Sequence, residues 1–168
     1  MGIGEDNVGI DFLSNAQSLT FNPRINLGAG NDNFLINATS NQLTDLFLNT
    51  GIDLGAGQDK LVMSYTDMLT TTWNGSALLG AGADAAEISV IGDLYGSASL
   101  ELGADADTAF MAVSQGNYGS QRVTAGSGDD VVEHWPSAGL FGTPSFDGGA
   151  GFDKFYGLGT PVGFEEVN

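Results

Sequence analysis

A short glycine and aspartate motif recurs along the entire chain and constrains what the chain can fold into. The motif reads G-x-G-x-D-x-U, where U is a large apolar residue, and its clearest copy is GSGDDVV at residues 126–132. The turns that it predicts lie at residues 2–6, 28–32, 55–59, 80–84, 103–107, 126–130 and 149–153. Motifs repeated every 23 to 27 residues are typical of stacked repeats, in which each unit packs against its neighbours. We therefore treat residues 1–168 as a single repeat domain.

Apolar residues alternate with other residues on both sides of each motif. Before the motif, the alternating pairs are Ile25/Leu27, Ile52/Leu54, Ala77/Leu79, Leu100/Leu102 and Val123/Ala125. After it, they are Phe34/Ile36, Leu61/Met63, Ala86/Ile88, Ala109/Met111 and Val132/His134. A period of two predicts strands with one face in the core, and no span has the capped 3.6-residue period of a helix. The sequence predicts an all-β, parallel β-solenoid of about seven right-handed coils.

A second series, of aromatic residues, keeps a nearly constant distance from the motif aspartates. Its members are Phe21, Phe47, Trp73, Tyr95, Tyr118, Phe141 and Phe164. The variation in repeat length falls instead in polar loops at residues 14–18, 39–44 and 66–72. We expect the aromatic residues to form the opposite corner of each coil and to stack as a ladder about 4.8 Å apart.

The charge balance excludes several classes of partner. Four Lys and Arg residues stand against 21 Asp and Glu residues, for a net charge of −17. Such a chain offers no basic surface for nucleic acid or for anionic membranes, and no stretch is apolar enough for membrane insertion. Without cysteine it has neither disulfides nor a thiolate metal site. The partner that this charge favours is a cation.

The last aspartate of each motif is expected to lie above its counterpart in the next coil. These candidate metal ligands are Asp6, Asp32, Asp59, Asp84, Asp107, Asp130 and Asp153. Carboxylates about 4.8 Å apart repel by about 3.5 kcal/mol at an effective dielectric constant near 20. Protonation, hydrogen bonds from turn amides or hard cations would each relieve this repulsion. Calcium fits the last option, because it accepts carboxylate and carbonyl oxygens in flexible geometry.

The last copy of the motif matches a longer consensus. Residues 148–155, GGAGFDKF, fit G-G-x-G-x-D-x-U, and the sequence resembles the RTX (repeats-in-toxin) family, whose nonapeptide repeat binds calcium. The resemblance implies calcium between successive turns and folding coupled to calcium. The implied ligands are the motif aspartates and the turn carbonyls, with site glycines Gly28, Gly55, Gly80, Gly126 and Gly149.

Two features depart from that family. RTX repeats follow one another every nine residues, whereas here each coil has one motif, so only one edge of the solenoid would carry metal. Asp105 also replaces the second glycine of the motif at residues 103–107. Because Asp tolerates the left-handed region better than most residues, Asp105 could either add a ligand or spoil the loop.

The sequence lacks the groupings that catalysis needs, so we expect no enzyme activity. Its single histidine, His134, is expected at a strand end near solvent, with Glu133 on the opposite face. Four dispersed basic residues do not form the cluster of a polysaccharide-modifying enzyme, and the turns lack the regular Thr/Asn array of an ice binder.

The expected function is that of a calcium-binding structural or adhesive module of a larger secreted or cell-surface protein, located outside the cell. Its expected partners are Ca²⁺ and, in addition, a glycan or another surface protein. The alternative is a metal-free scaffold that binds glycan or protein through its loops or its aromatic edge. In that case the aspartates would be satisfied by backbone amides alone.

Overall fold

The computed structural model describes residues 2–12, 17–39, 45–66, 70–117, 119–137 and 142–168. Every regular element in these ranges is a strand. The strands are β1 (Asn7–Phe12), β2 (Ser18–Phe21), β3 (Arg24–Ala29), β4 (Asn33–Thr39), β5 (Asp45–Ala56), β6 (Lys60–Thr66), β7 (Thr70–Ala81), β8 (Ala85–Val90), β9 (Asp93–Tyr95), β10 (Ala98–Ala104), β11 (Thr108–Val113), β12 (Gly116–Asn117), β13 (Arg122–Ser127), β14 (Val131–Pro136), β15 (Ser145–Ala150), β16 (Lys154–Gly157), β17 (Thr160–Val162) and β18 (Glu166–Val167). The part of the chain that the structure describes contains no helix with the length and apolarity of a membrane span.

The strands form two parallel sheets that face each other across one core. The eight-stranded sheet runs β1-β4-β6-β8-β11-β14-β16-β18, and its strands up to β16 directly follow the motifs. The ten-stranded sheet has the order β12-β9-β7-β10-β13-β15-β17, with β5 on β7 and with β2 and β3 on β5, and it includes the strands that lead into the motifs. The chain crosses between the sheets at each GxGxD turn. The predicted all-β parallel β-solenoid is confirmed, with about 6 turns, and its handedness stays a prediction.

The core lies between the sheets and follows the predicted alternation. The apolar pairs on both sides of each motif are buried, apart from Ile25 in the first coil, which is half-buried. Parallel pairing without slippage keeps each pair above its counterpart: Phe34 lies opposite Leu61, and Leu61 lies opposite Ala86. Because side chains alternate between the two faces of a strand, a constant register stacks all the inward residues into continuous apolar columns.

The predicted aromatic ladder is wrong for the described members of the series, because the strands at the opposite corner pair in a different register. Phe47 lies opposite Thr72, and Leu48 is the residue opposite Trp73. Phe47 consequently faces solvent with 39% of its surface exposed, whereas Trp73 is only 2% exposed. The Trp73 indole N–H donates a hydrogen bond to Oγ1 of Thr50 at 2.8 Å, so that its polar atom is satisfied within the core.

Several predictions about this corner fall on residues outside the described ranges. Tyr118 and Phe141 of the aromatic series belong to them, as do most residues of the three length-variable loops. The described parts of the corner carry polar contacts between coils: the Asn49 side chain donates to Oδ1 of Asn22 at 2.7 Å, and the backbone amide of Ser97 donates to Oδ1 of Asn74 at 3.1 Å.

Candidate functional site

The motif aspartates form one column at the edge where the chain crosses between the sheets. The column is buried from its second member onward: Asp32, Asp59, Asp84, Asp107, Asp130 and Asp153 are each at most 3% exposed. Asp6, in the first coil, is half-buried. The predicted placement of all seven aspartates in a single column is therefore correct, and we call this column the aspartate ladder.

Each buried carboxylate of the aspartate ladder, from Asp32 to Asp153, accepts a hydrogen bond from the backbone of the preceding coil. The donor is always the amide of the preceding aspartate and the acceptor is Oδ1. The distances are 2.7 Å for Asp6 to Asp32, Asp32 to Asp59 and Asp59 to Asp84, 2.8 Å for Asp84 to Asp107 and Asp107 to Asp130, and 2.9 Å for Asp130 to Asp153. Hydrogen bonds from turn amides, one of the three ways of relieving the repulsion, therefore satisfy one oxygen of every buried carboxylate.

The second oxygen of each buried carboxylate is left without a partner. Oδ2 is buried and accepts no hydrogen bond from the described residues at Asp32, Asp59, Asp84, Asp107, Asp130 and Asp153. A buried charged oxygen without a partner is costly. These six atoms are therefore the positions at which the ladder would gain most from a proton or a cation.

Burial shifts the carboxyl groups in the middle of the ladder toward their neutral form. Removal from water raises the pKa of Asp84 to about 6 and that of Asp107 to about 7, although the amide hydrogen bond works in the opposite direction. The neighbouring carboxylates in the column raise both pKa values further. The same dominant cause, desolvation, raises the pKa of Asp59 and Asp130. Burial thus favours the protonated form of these four carboxyl groups more than it is favoured in an isolated aspartate, and most strongly at Asp107.

The close spacing of the coils explains why the motif requires its first glycine. Gly28, Gly55, Gly80, Gly103, Gly126 and Gly149 lie directly opposite one another along the sheet. Gly55 has φ of 108°, a left-handed conformation that favours glycine, and a Cβ there would overlap the carbonyl oxygen of Gly28. All five glycines of the predicted site lie in this row, adjacent to the aspartate ladder.

Asp105 does not spoil its turn. It adopts a left-handed conformation with φ of 79°, as the glycines at the equivalent position of other turns do. Its side chain is exposed, while Asp107, two residues later, keeps its place in the ladder. Asp105 therefore replaces the second glycine at the cost of some backbone strain, and its charge adds to the raised pKa of Asp107.

The atoms of the ladder that could bind a metal are carboxylate and carbonyl oxygens, which are the hard ligands that calcium prefers. Their arrangement is less favourable. The described residues contain no group of three or more His, Cys, Asp or Glu that could hold a metal ion. Each coil offers one free carboxylate oxygen, so most ligands would have to be backbone carbonyls. Several of these carbonyls already accept an amide of the adjacent coil, as Ala56 does from Gly30 at 2.8 Å.

Glu165 is part of the site, although it lies outside the repeated motif. Its Oε2 accepts the backbone amide of Asp153 at 2.8 Å, and so it supplies the carboxylate that a further motif aspartate would have provided. Glu165 lies only 12 residues after Asp153, about half of the repeat period. A search for the repeat therefore could not find it, and an acidic residue close behind the last motif is the only signal.

His134 lies in the core, which corrects the expectation of a solvent-exposed position. Its exposure is 0%, and its ring lies 5.0 Å from that of Phe146. Nδ1 forms a hydrogen bond with the carbonyl oxygen of Leu158, and burial lowers the pKa of the imidazole. Glu133 points away and accepts the Trp135 indole N–H at 3.1 Å, so these two residues do not form an acid–base pair.

A group of exposed aromatic residues lies on the outer face of the eight-stranded sheet. Phe110 is 38% exposed and Trp135 is 47% exposed. Phe110 lies opposite Glu133 on the next strand, and Glu133 lies opposite Tyr156 on the one after. Three adjacent strands therefore present aromatic rings around one carboxylate. We call Phe110, Glu133, Trp135 and Tyr156 the aromatic platform.

The fold and the aspartate ladder define a parallel β-solenoid repeat protein with a buried acidic column. In comparisons with family models, curated proteins and solved structures, none matches this chain. The proposal of a function consequently relies on the sequence, the fold and the site of this chain.

Proposed function

We propose that the chain is a structural and adhesive β-solenoid module of a larger secreted or cell-surface protein, in which calcium neutralises the aspartate ladder. The observation that supports this most is the column of six buried Oδ2 atoms without partners. The native stack of coils buries these six carboxylates. A cation that neutralises their charge in the native state, and does not bind the unfolded chain, therefore stabilises the fold.

Calcium would neutralise the carboxylates of the ladder. Because it would bind only the native state, it would also shift the folding equilibrium toward that state by mass action. The residues that would hold it are the buried aspartates of the ladder, through Oδ2, together with carbonyl oxygens in the glycine rows of adjacent turns. A ligand that binds only the native state at about ten times its Kd adds about 1.4 kcal/mol per site. At the millimolar affinity typical of extracellular calcium modules, the ladder would be loaded outside the cell and empty inside it.

The resemblance to RTX repeats supports the same proposal, and so does the net charge of −17, which favours cations over anions near the protein. A structural role is further supported by the extent of regular pairing, since both sheets run the length of the described chain. A rigid, elongated solenoid suits a spacer or an adhesive surface, because each coil contacts only its neighbours and adds length.

The test is thermal unfolding followed by far-UV circular dichroism at neutral pH, with millimolar calcium and with excess EDTA. We expect the melting temperature to rise with calcium concentration and not with the same concentration of magnesium, which demands a stricter octahedral geometry. Calorimetric titration gives the number of ions. An identical strand signal and melting temperature in calcium and in EDTA would exclude calcium and leave protons and amides as the means of neutralisation.

A second candidate function is glycan binding by a metal-free scaffold, and the aromatic platform favours it. Exposed aromatic rings offer apolar contact area with a fixed geometry, and Glu133 offers an acceptor for hydroxyl groups. This location differs from the predicted aromatic corner, where Trp73 is buried.

Binding to a glycan array in EDTA would support the glycan function, provided that Trp135→Ala and Phe110→Ala abolish it. Phe152, which is 51% exposed in the turn at residues 149–153, provides the matched control: Phe152→Ala should leave the binding unchanged.

A further inference from the structure

One row of residues on the outer face of the eight-stranded sheet alternates carboxylates with aromatic rings. The parallel register places Glu87 opposite Phe110, Phe110 opposite Glu133 and Glu133 opposite Tyr156. Neighbouring strands of a sheet lie about 4.8 Å apart, so Glu87 and Glu133 lie on the two sides of Phe110. We call Glu87, Phe110, Glu133 and Tyr156 the acid–aromatic row. It extends the aromatic platform by one strand, to β8.

Glu87 is the member of this row whose charge the protein leaves uncompensated. The residue is exposed, and in the described part of the chain it forms no hydrogen bond or ion pair. Lys154, at the other end of the same sheet face, pairs instead with Glu166 at 3.6 Å. An exposed carboxylate alone indicates only a solvated surface. Beside an exposed aromatic ring, however, the same carboxylate is placed to recognise a cation.

The polar atoms of the other rings on this face are already bound by carboxylates. The Trp135 indole N–H donates to Oε2 of Glu133 at 3.1 Å, and the Tyr156 hydroxyl donates to Oε1 of Glu166 at 3.2 Å. These hydrogen bonds restrict the two rings before any ligand arrives. A ligand that stacks on them therefore loses less affinity to the ordering of side chains.

The composition of this surface favours a ligand that is both cationic and flat. A cation is attracted to the face of an aromatic ring and to the carboxylates beside it. Aromatic rings also offer apolar contact area of fixed geometry, against which the apolar face of a sugar ring can lie. A neutral sugar would use the rings and leave the charge of Glu87 without a role. An anionic sugar is disfavoured by the net charge of −17.

We propose that the acid–aromatic row binds amino sugars that carry a free ammonium group. The sugar ring lies against Phe110, and its ammonium group donates to Glu87 on one side or to Glu133 on the other. The inference rests on the glycan-binding function proposed above and names the class of glycan. It does not require calcium, because the row lies on the outer face of the sheet, whereas the aspartate ladder lies at the edge where the chain crosses between the sheets.

A basic peptide is the other cationic ligand that such a face could bind, and the geometry favours the sugar. A lysine ammonium group lies at the end of a flexible stem, so holding it between a ring and a carboxylate costs side-chain entropy. An amino sugar carries its ammonium group on a rigid ring, so that stacking and ion pairing occur in one placement. Because carboxylates lie on both sides of Phe110, the sugar can bind in either direction along the row.

The experiment titrates the full chain with a glucosamine oligosaccharide and with its N-acetylated counterpart, which keeps the sugar rings and loses the positive charges. Calorimetry at mildly acidic pH, where the amines are protonated, gives both dissociation constants. Millimolar calcium is present throughout, and far-UV circular dichroism verifies that each variant is folded. The variants are Glu87→Gln and Phe110→Ala. Glu101→Gln is the matched control, since Glu101 is also exposed but lies on the ten-stranded sheet.

We expect the glucosamine oligosaccharide to bind about tenfold more tightly than its N-acetylated counterpart, because acetylation removes the charge that the rings and carboxylates attract. Glu87→Gln should weaken binding of the charged oligosaccharide about threefold and leave binding of the acetylated one unchanged. Phe110→Ala should abolish the binding of both. Glu101→Gln should change neither, and added salt should weaken only the binding of the charged oligosaccharide.

Equal affinity for the two oligosaccharides, with no effect of Glu87→Gln, would overturn the proposal and leave the glycan-binding function standing. Binding of neither oligosaccharide to the folded chain would also overturn it. Other glycans that bind on the array, and lose binding in Trp135→Ala, would then still support the glycan-binding function.

Two further results would argue against an amino sugar at this site. A lysine oligomer that binds as tightly and competes for the row would show that the ligand is a basic peptide. An equal loss of affinity in Glu87→Gln and Glu101→Gln would show that binding depends only on the net charge of the protein.

Discussion

The backbone amide of Asp84 donates a hydrogen bond of 2.8 Å to Oδ1 of Asp107, while Oδ2 of Asp107 is buried without a partner. One side chain thus both connects two coils and, when it is ionised, buries a charge whose second oxygen has no partner. Substitution of Asp107 by Asn separates these two roles, because the side-chain amide of Asn keeps an acceptor oxygen and carries no charge.

We expect Asp107→Asn to raise the unfolding free energy in EDTA at neutral pH by about 1 kcal/mol, because it retains the acceptor for the Asp84 amide and removes a desolvated charge. The gain from calcium should shrink at the same time. Asp105→Asn is the matched control, since the same charge is removed from an exposed side chain, and it should change stability by less than about 0.5 kcal/mol. Urea unfolding gives the unfolding free energy of the unmodified chain and of the two variants. A lower unfolding free energy for Asp107→Asn than for the unmodified chain would contradict the expectation.

The stability of the metal-free protein should fall as pH rises from about 4 to about 7. The folded pKa values of Asp84 and Asp107, about 6 and about 7, lie above the ordinary aspartate value near 3.9. Between these values the native state binds more protons than the unfolded chain, so unfolding becomes easier with increasing pH. Melting curves in EDTA across this range test the prediction. A melting temperature that increases over the same interval would mean that the ladder is ionised and stabilised in some other way.

Gly55→Ala should destabilise the protein by about 3 kcal/mol or more. Alanine is strained at the φ of 108° that Gly55 adopts, and its Cβ would overlap the Gly28 carbonyl of the adjacent coil. Gly9→Ala is the control: Gly9 has no atom near its added Cβ, and the substitution should have little effect. Chemical denaturation of both variants gives the comparison, and equal stabilities would argue against the close approach of the coils.

The register at the opposite corner can be tested with two adjacent residues. Leu48→Ala should cost about 2–5 kcal/mol, because Leu48 is fully buried. Phe47→Ser should cost less than about 1 kcal/mol, because the Phe47 ring faces solvent. The predicted aromatic ladder would require the opposite order of the two effects, so their relative size, measured by urea unfolding, decides between the two registers.

Glu165→Ala should lower stability by about 1 kcal/mol, since it leaves the Asp153 amide without its acceptor. Glu165→Gln keeps an acceptor oxygen and should cost less. Hydrogen exchange localises the effect: we expect faster exchange at Asp153 and in β16 and β18, and no change in β1. Uniformly faster exchange would indicate that Glu165 does not act as a local cap.

The repeat, the strands and the column of aspartates could be predicted from the sequence because each depends on short-range or periodic information. The alternation Leu61/Met63 is visible within three residues, and constant spacing places Asp59 above Asp32 once the coils are parallel. The requirement for glycine at the position of Gly55 can likewise be predicted, since the turn itself needs a left-handed backbone conformation there.

The positions of Phe47, His134 and Glu165 depend on contacts between residues that are distant in the sequence. A slip of one residue in strand register moves a side chain from the core to the solvent face, and the register at the opposite corner depends on loops of unequal length. His134 is buried because the chain returns after β16 and supplies the Leu158 carbonyl to its ring. Glu165 joins the aspartate ladder because the last coil is short enough to place its carboxylate at the Asp153 amide. The solenoid and its acidic column are readable from the amino-acid sequence, since both repeat with a nearly regular period. The contacts at the corners and ends of the solenoid depend on non-local pairing that no period encodes.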